Sequence, residues 1–473
     1  MSKGAKPTTT WKDIWWQQDR MTAPQRPAGE RVHDFLEIEG TISPEDAQHE
    51  ASRCIDCADP QCVESCPIGN HIRDWLVLAA EGKFLEAASV CQGENSFPEI
   101  HARLCASERQ CERGCVLSEH GKAVAIGLVE RFINDFAFAH GGVDVQPIPV
   151  RFNQPVAVIG SGPAGLTCAD QLNQGGYPVT VFDAAEQPGG SLMFRIPGYK
   201  LDRDILKRRI SVFEKRGIQF RCGVHVGRDI SIKQLFEQGF RAVFIATGSQ
   251  KPRELNVEGR ALENVFQALP FLAETQAVAE VHAIPLRERK VVVLGGGDMA
   301  MDCLRTSLRI GAGSAACIYR RDSASMAASK KEFASAQAEG AKFFWMARPV
   351  RFLDDGHGRV RGVECERTQP AHVPEGERRD ATPTAATFVV EADIVVLALG
   401  FEAMPPPIIA GETPVRLTEK GTIAVDANGM TDIPGVFAAG EAVTPAGLLA
   451  VAVCGGRDAA AAIDRYLAGK RDA

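Results

Sequence analysis

VAVIGSGPAG, residues Val156–Gly165, decides how this chain folds. Four mostly β-branched apolar residues run into a glycine turn, and Pro163-Ala164-Gly165 open the apolar helical pattern LTCADQL. Gly160 permits the tight bend, Gly162 lets backbone approach a pyrophosphate, and Gly165 lets the helix pack on the strand. The helix N-terminus then offers unpaired N–H groups and a positive dipole end to that phosphate. A second strand, YPVTVFDA, ends at Asp183, where a carboxylate binding a ribose hydroxyl belongs. Strand, helix and acid in register predict a dinucleotide site.

From residue 151 onward the chain reads strand–helix–strand, the mark of a parallel α/β sheet. RAVFIATGS, residues 241–249, is a buried strand closed by a turn at Gly248, and Gly189-Gly190 form another turn. A second fingerprint follows KVVVL: Gly295, Gly297 and Ala300 give G-x-G-x-x-A, with Asp298 opening the helix. Its second strand, CIYR, ends at Arg320-Arg321. An acid there would accept from a ribose 2′-OH, whereas arginine accommodates a 2′-phosphate; the competing reading is a solvated basic turn. ADIVVLALGF, residues 392–401, leads the chain back to the first unit, which GVFAAGEAV and its following helix complete. The expected fold is therefore α/β: an N-terminal helical domain over residues 1–145, then two Rossmann-like domains of glutathione-reductase type. The first takes residues 151–255 and 401–473, and the second, 256–400, is inserted in it.

Two unlike sites in one chain predict FAD in the first and NADPH in the second. Hydride passes from nicotinamide to flavin, which splits the electron pair. Those rings carry the chemistry, so no catalytic side chain is expected. No Cys-x4-Cys follows Gly189-Gly190, so a redox-active disulfide is not indicated.

Eight of the 14 cysteines lie between Cys54 and Cys115. The first run is C-x2-C-x4-C-x3-C-P (Cys54, Cys57, Cys62, Cys66), and the second is C-x5-C-x3-C (Cys105, Cys111, Cys115). The helical pattern IRDWLVLAAEGKFLEAASV separates them, and AVAIGLVERFINDFAF closes the region before a Gly- and Pro-containing linker. Thiolates suit iron–sulfur centres or zinc, and a fourth cysteine before Pro is the ferredoxin spacing in which that residue ligates the other cluster. Zinc is normally closed by two C-x2-C pairs or by His, which the second set lacks. Two [4Fe–4S] clusters are expected, yet these residues supply seven thiolates where two cubanes need eight ligands. Cys91 and Glu130 are the candidates for the eighth, and spacing does not choose between them.

The remaining features bound the partners. A net charge of −7 argues against nucleic acid. The N-terminus has no apolar signal-peptide core, and no run approaches the ~18 apolar residues of a membrane span. A cytoplasmic, soluble protein is expected. Trp11, Trp15 and Trp16 read as an anchor onto the body of the protein or a partner, and Ser43-Pro44-Glu45-Asp46 as a helix start.

With these motifs assembled, the whole chain resembles the family of small (β) subunits of bacterial NADPH-dependent glutamate synthases. The wider group includes the flavin/NADPH half of dihydropyrimidine dehydrogenase and the large subunit of bifurcating transhydrogenases. The resemblance runs from RMTAPQRPAGERVHDF through both cysteine sets, NSFPEI, VAVIGSGPAGL, PGGSLMFRIPGYKL, VVVLGGGDMAMDCLRTSLRIGA, YRRD and VFAAGEAV. It implies FAD, NADPH and two [4Fe–4S] centres, with an unusual carboxylate or amide ligand inside IGLVERF, a position that Glu130 matches. One cluster is then expected on Cys54, Cys57, Cys62 and Glu130, the other on Cys66, Cys105, Cys111 and Cys115. The implied partner is a large (α) subunit carrying FMN and the glutaminase, in a hetero-oligomer that makes glutamate. The same electron path could instead feed a pyrimidine-reducing subunit or ferredoxin. Two positions depart from the family pattern: Gly440-Glu441 stands where Gly-Asp is usual at the flavin ribityl chain, and Met326-Ala327-Ala328-Ser329 where Met-Pro-Gly-Ser is usual.

Overall fold

The computed structural model describes residues 19–120, 122–249, 251–276, 284–370, 381–402, 415–444 and 447–470. The Trp11, Trp15 and Trp16 trio lies outside the described residues.

The N-terminal region is helical. Ser43 caps the helix Pro44–Ser52 by accepting from the Asp46 N–H at 3.0 Å, with Pro44 in the first turn. The single helical pattern between the cysteine sets is in fact two helices, Ile72–Ala80 and Phe84–Glu94. They break at Gly82, whose φ of +74° is a left-handed conformation open to glycine at little steric cost. With Ile126–Ala139 they enclose a core around Trp75, Leu76, Phe84, Val129 and Ile133.

β1 (Val156–Ile159), β2 (Val179–Phe182), β3 (Gln219–Arg221) and β4 (Ala242–Ile245) belong to one parallel sheet. Val156 and Val158 of β1 enter one core, and Ala157 and Ile159 the other, as the two-residue period of a strand requires. Both faces are covered, which explains why β1 reads as uninterrupted apolar sequence. The chain leaves this unit through β5 (Lys251–Pro252). A second parallel sheet then uses β6 (Val265–Gln267), β7 (Lys290–Leu294), β8 (Ser314–Ile318) and β9 (Lys342–Phe344). An antiparallel sheet of β10 (Ala347–Asp354), β11 (Val360–Pro370) and β12 (Ala381–Glu391) follows. Its Phe352, Val363, Cys365 and Val390 cover the Val292 and Leu294 face of β7, a layer that the sequence reading did not foresee.

β13 (Ile394–Leu397) pairs with β6 and β7, so the first part of ADIVVLALGF still belongs to the second sheet. The return crossing is β14 (Phe401–Glu402), paired antiparallel with β5. β15 (Val436–Ala438) then adds to β4 and gives the first sheet the order β15-β4-β1-β2-β3. The last helix, Leu449–Ala468, lies against Pro163–Gln174. A Cβ on Gly456 would stand 2.2 Å from the Ala164 carbonyl oxygen, so glycine is what lets these helices touch.

The helical region rests on both sheets. Arg209 of the first α/β unit makes a buried two-pronged bond to Glu99 at 2.7 and 2.8 Å. Arg31 reaches Glu339 of the second unit at 2.9 Å. Cys454 donates to the Pro67 carbonyl at 2.7 Å, which sets the final helix beside the first cysteine run.

Candidate functional site

The first glycine turn is a shaped cradle. Gly160 has φ +100°, and a Cβ there would lie 2.5 Å from the Ala246 carbonyl. A Cβ on Gly165 would lie 1.9 Å from the Gly160 carbonyl, whereas one on Gly162 would meet nothing within 4 Å. Two glycines thus answer to packing and the third faces open space at the N-terminus of Pro163–Gln174, as a pyrophosphate requires. Gly190, with φ +53°, closes on this turn: its Cβ would stand 2.8 Å from Gly162 Cα. Gly248 has φ +71° in the turn after β4, and nothing lies within 4 Å of its Cβ position.

Asp183 braces the cradle. Its Oδ2 accepts from the Ser161 N–H at 2.7 Å and from the Ser161 hydroxyl, and its Oδ1 from the Ala185 N–H at 2.9 Å. Ser161 Oγ accepts in turn from the Gly189 N–H at 2.9 Å. A carboxylate offers about four lone-pair positions, so Oδ1 keeps one for a ribose hydroxyl. Gly440, at φ +69°, has Ala164 3.1 Å from its Cβ position, and Glu441 follows in a short 3-10 turn. Burial lowers the Arg195 guanidinium pKa, and the nearby Glu441 carboxylate opposes that shift. The longer acid therefore has a cation beside it, a partner that no sequence signal identified.

The second turn repeats the first with different chemistry. A Cβ on Gly295, at φ +140°, would lie 2.2 Å from the Ala398 carbonyl, and the Gly297 Cβ position is open. Ala300 is fully buried. Asp298, expected at the NADPH site, is exposed, and its Oδ1 accepts from the Ser329 N–H at 2.7 Å at the start of the next helix. Gly296, missed by the fingerprint, would put a Cβ 2.4 Å from the Tyr319 ring. Arg320 is exposed beyond β8, and Arg321 is half-buried with its Nε lacking a hydrogen-bond partner. An orphaned guanidinium N–H at this strand end fits a phosphate acceptor. At Ala327-Ala328, Arg109 of the helical region donates to both backbone carbonyls at 3.3 and 2.9 Å, contacts that do not depend on the alanine side chains.

The cysteines surround two cavities. Cys54, Cys57, Cys62 and Cys115 line the first; Cys66, Cys105, Cys111 and Glu130 line the second. This lining differs from the expected grouping, in which Glu130 and Cys115 are exchanged. The reason is local: the short helix Cys111–Gly114 packs so tightly on Gln61–Glu64 that a Cβ on Gly114 would lie 2.5 Å from the Gln61 carbonyl. Cys115, extended at the helix end, is delivered to the Cys62 side, while Cys111 stays buried on the other. The crossing expected of Cys66 is matched by Cys115 crossing the opposite way.

Burial pushes the Cys54 thiol up to about 11 and the Cys62 thiol up to about 12. It likewise lifts the Glu130 carboxyl to about 8, against hydrogen bonds from Cys91 and Asn95. Such donors ionise readily only for a cation in the cavity. Cys91 lines neither cavity; it sits behind Glu130, 3.6 Å from its Oε1, and accepts from Asn70 at 3.4 Å. Among the described residues, no three Cys, His, Asp or Glu side chains converge as a single-ion site. Donors spread around a cavity suit a multi-atom cluster, whereas zinc needs all four within about 2.3 Å.

Residues 31–142 match the family described as dihydropyrimidine dehydrogenase domain II, 4Fe-4S cluster. Residues 154–459 match pyridine nucleotide-disulphide oxidoreductase. The chain is 40% identical to the glutamate synthase [NADPH] small chain of Azospirillum brasilense over 95% of both chains. It is 36% identical to the protein of the same name from Escherichia coli, over 95% of this chain and 97% of that one. A third relative, "Putative oxidoreductase UacF" of Escherichia coli, is 39% identical over 93% of this chain and 71% of its own length. Among solved structures, Mycobacterium tuberculosis FprA in complex with NADPH superposes with a TM-score of 0.58 at 18% identity, over 67% of this chain and 86% of that one.

Proposed function

The chain belongs to the family of the glutamate synthase [NADPH] small chains, and on that premise we propose that it is an NADPH-oxidising electron-input subunit. FAD, when bound, would supply a hydride acceptor for NADPH and a one-electron donor, and two [4Fe–4S] clusters would supply the relay beyond it. The chain's own part is to bind and orient. Gly160, Gly162, Pro163, Ala164 and Gly165 seat the FAD pyrophosphate, Asp183 the ribose, and Gly190, Gly248, Gly440 and Glu441 the remaining edge. Gly295, Gly297 and Ala300 seat the NADPH pyrophosphate, with Asp298 fixing the adjoining helix and Arg320 and Arg321 at the 2′-phosphate. Cys54, Cys57, Cys62 and Cys115 hold one cluster; Cys66, Cys105, Cys111 and Glu130 hold the other.

One observation carries the reading: two glycine cradles, each with its middle glycine facing open space, stand in one chain with two cysteine-lined cavities. The flavin-side helix Leu449–Ala468 contributes Ala450 to the second cavity, which supports reading that site as the next in line for electrons. The electrons then leave for a large subunit carrying FMN and a glutaminase, which reduces the imine formed from 2-oxoglutarate and glutamine nitrogen. Anaerobic titration of the purified protein with NADPH tests the input half. Bleaching of flavin absorbance with dye reduction, but no glutamate from glutamine and 2-oxoglutarate without a second chain, is the expected result. Absence of NADPH-dependent bleaching would overturn it.

The 39% identity to UacF supports a second reading, in which the same input half serves another acceptor. Glutamate formation on adding a glutamate synthase large subunit separates the two.

A further inference from the structure

His101 is a histidine that the reading above leaves unused. It lies in the helix Pro98–Leu104, one turn before Cys105, and its ring stacks on Phe97 with centroids 5.1 Å apart and planes 1° apart. The residue is only 2% exposed and lines the same cavity as Cys66, Cys105, Cys111 and Glu130. Neither Nδ1 nor Nε2 has a hydrogen-bond partner. The Phe97 carbonyl is close enough to favour a protonated ring but makes no bond of ordinary geometry. Buried polar atoms are paired in the great majority of cases, so two orphans on one ring call for a partner that the protein itself does not supply.

An imidazole carries at least one ring N–H in either protonation state, on Nδ1, Nε2 or both. The other groups facing this cavity include three thiols and a carboxyl, already four donors for four iron corners. A fifth ligand has no corner to occupy. A hydrogen-bond donor does, because cluster sulfurs accept N–H bonds and their number helps set the reduction potential.

We propose that His101 donates its ring N–H to a sulfur of the iron–sulfur cluster in the Cys66 cavity and thereby raises that cluster's reduction potential. The inference rests on reading this cavity as a cluster site. An added electron enriches the sulfurs, so the bond is stronger in the reduced state and favours it. One hydrogen bond to a charged acceptor changes an equilibrium on the order of tenfold, equivalent to 59 mV for a one-electron couple.

The test is an EPR-monitored redox titration of the intact, cluster-loaded protein with His101→Phe and His101→Gln. Phe keeps the stacked ring without any N–H, and Gln keeps a donor. The expected result is full iron and sulfide in both variants. The midpoint potential of one cluster should fall in His101→Phe by a shift on the order of tenfold in the reduced-to-oxidised ratio, and be restored in part by Gln. Unchanged potentials in a fully loaded His101→Phe would overturn the inference. Loss of half the iron and sulfide from the folded variants would also overturn it, since the imidazole would then be a ligand. Wild-type protein without iron and sulfide would instead remove the cluster reading itself.

Discussion

Replacing Arg321 by Gln should cost NADPH recognition while leaving NADH alone. Arg321 is half-buried past the end of β8, with an Nε that has no partner, whereas Arg320 is exposed. A 2′-phosphate near pH 7 is close to doubly charged, and a guanidinium matches it in a fixed fork. A charge-assisted hydrogen bond is worth about 1.5–3 kcal/mol, and ~1.4 kcal/mol is tenfold in affinity. Arg321→Gln should therefore lower kcat/KM for NADPH about ten- to a hundredfold. An exposed pair is worth about 0.2–1 kcal/mol, so Arg320→Gln should lower it about fivefold or less. Neither change should move kcat/KM for NADH, which has no 2′-phosphate. Stability gives an independent check. An unsatisfied buried donor costs the free protein about 1–3 kcal/mol, so Arg321→Gln should leave Tm unchanged or raise it. Steady-state kinetics with both nucleotides, at low and high salt, decide the matter. Equal use of NADH and NADPH by the wild type, or equal losses for both in Arg321→Gln, would refute the assignment.

The cluster grouping predicts that Cys115→Ser perturbs the cluster of Cys54, and Glu130→Ala that of Cys66, each visible as a change in one of two EPR or Mössbauer signals. Cys91→Ser should keep full iron content, and its loss there instead of in Glu130→Ala would reverse the roles. In the first cradle, Gly165→Ala forces a Cβ to 1.9 Å from a carbonyl and should destabilise by at least about 1–3 kcal/mol, read as a lower Tm. Gly162→Ala meets no protein atom within 4 Å, so it should fold normally and lose flavin, and a Tm drop without flavin loss would contradict its role. Arg209→Met strands a buried Glu99 and should cost about 3–5 kcal/mol in urea unfolding, with much of that recovered in Arg209→Met/Glu99→Leu.

Local sequence fixed both glycine cradles because their requirements are local. Gly160, Gly162 and Gly165 answer to one strand, one turn and one helix, all within ten residues, and spacing records such constraints. The same holds for Ser43 as a helix cap and for the basic pair after β8. The seven cysteines stood out as a candidate metal-binding set for a similar reason, since thiolate chemistry depends on residue type.

Which cavity each cysteine joined was not legible. Cys111 and Cys115 lie four residues apart, yet the contact of Gly114 with the Gln61 helix turn sends them to different cavities. Glu130 and Cys91 compete for one role in the sequence; only the packing of Phe84–Glu94 against Ile126–Ala139 puts the carboxylate at the cavity and the thiol behind it. His101 gave no signal at all, because a lone histidine on a helix acquires meaning only from what buries it. The covering sheet β10–β12 pairs between consecutive strands, but its role as a cover was missed because that depends on its packing over Val292 and Leu294 of β7, far back in the chain. Sequence determined the chemistry that this protein carries, through short-range spacing and residue type. Tertiary structure decided which groups share a site, because that depends on long-range packing that no local pattern encodes.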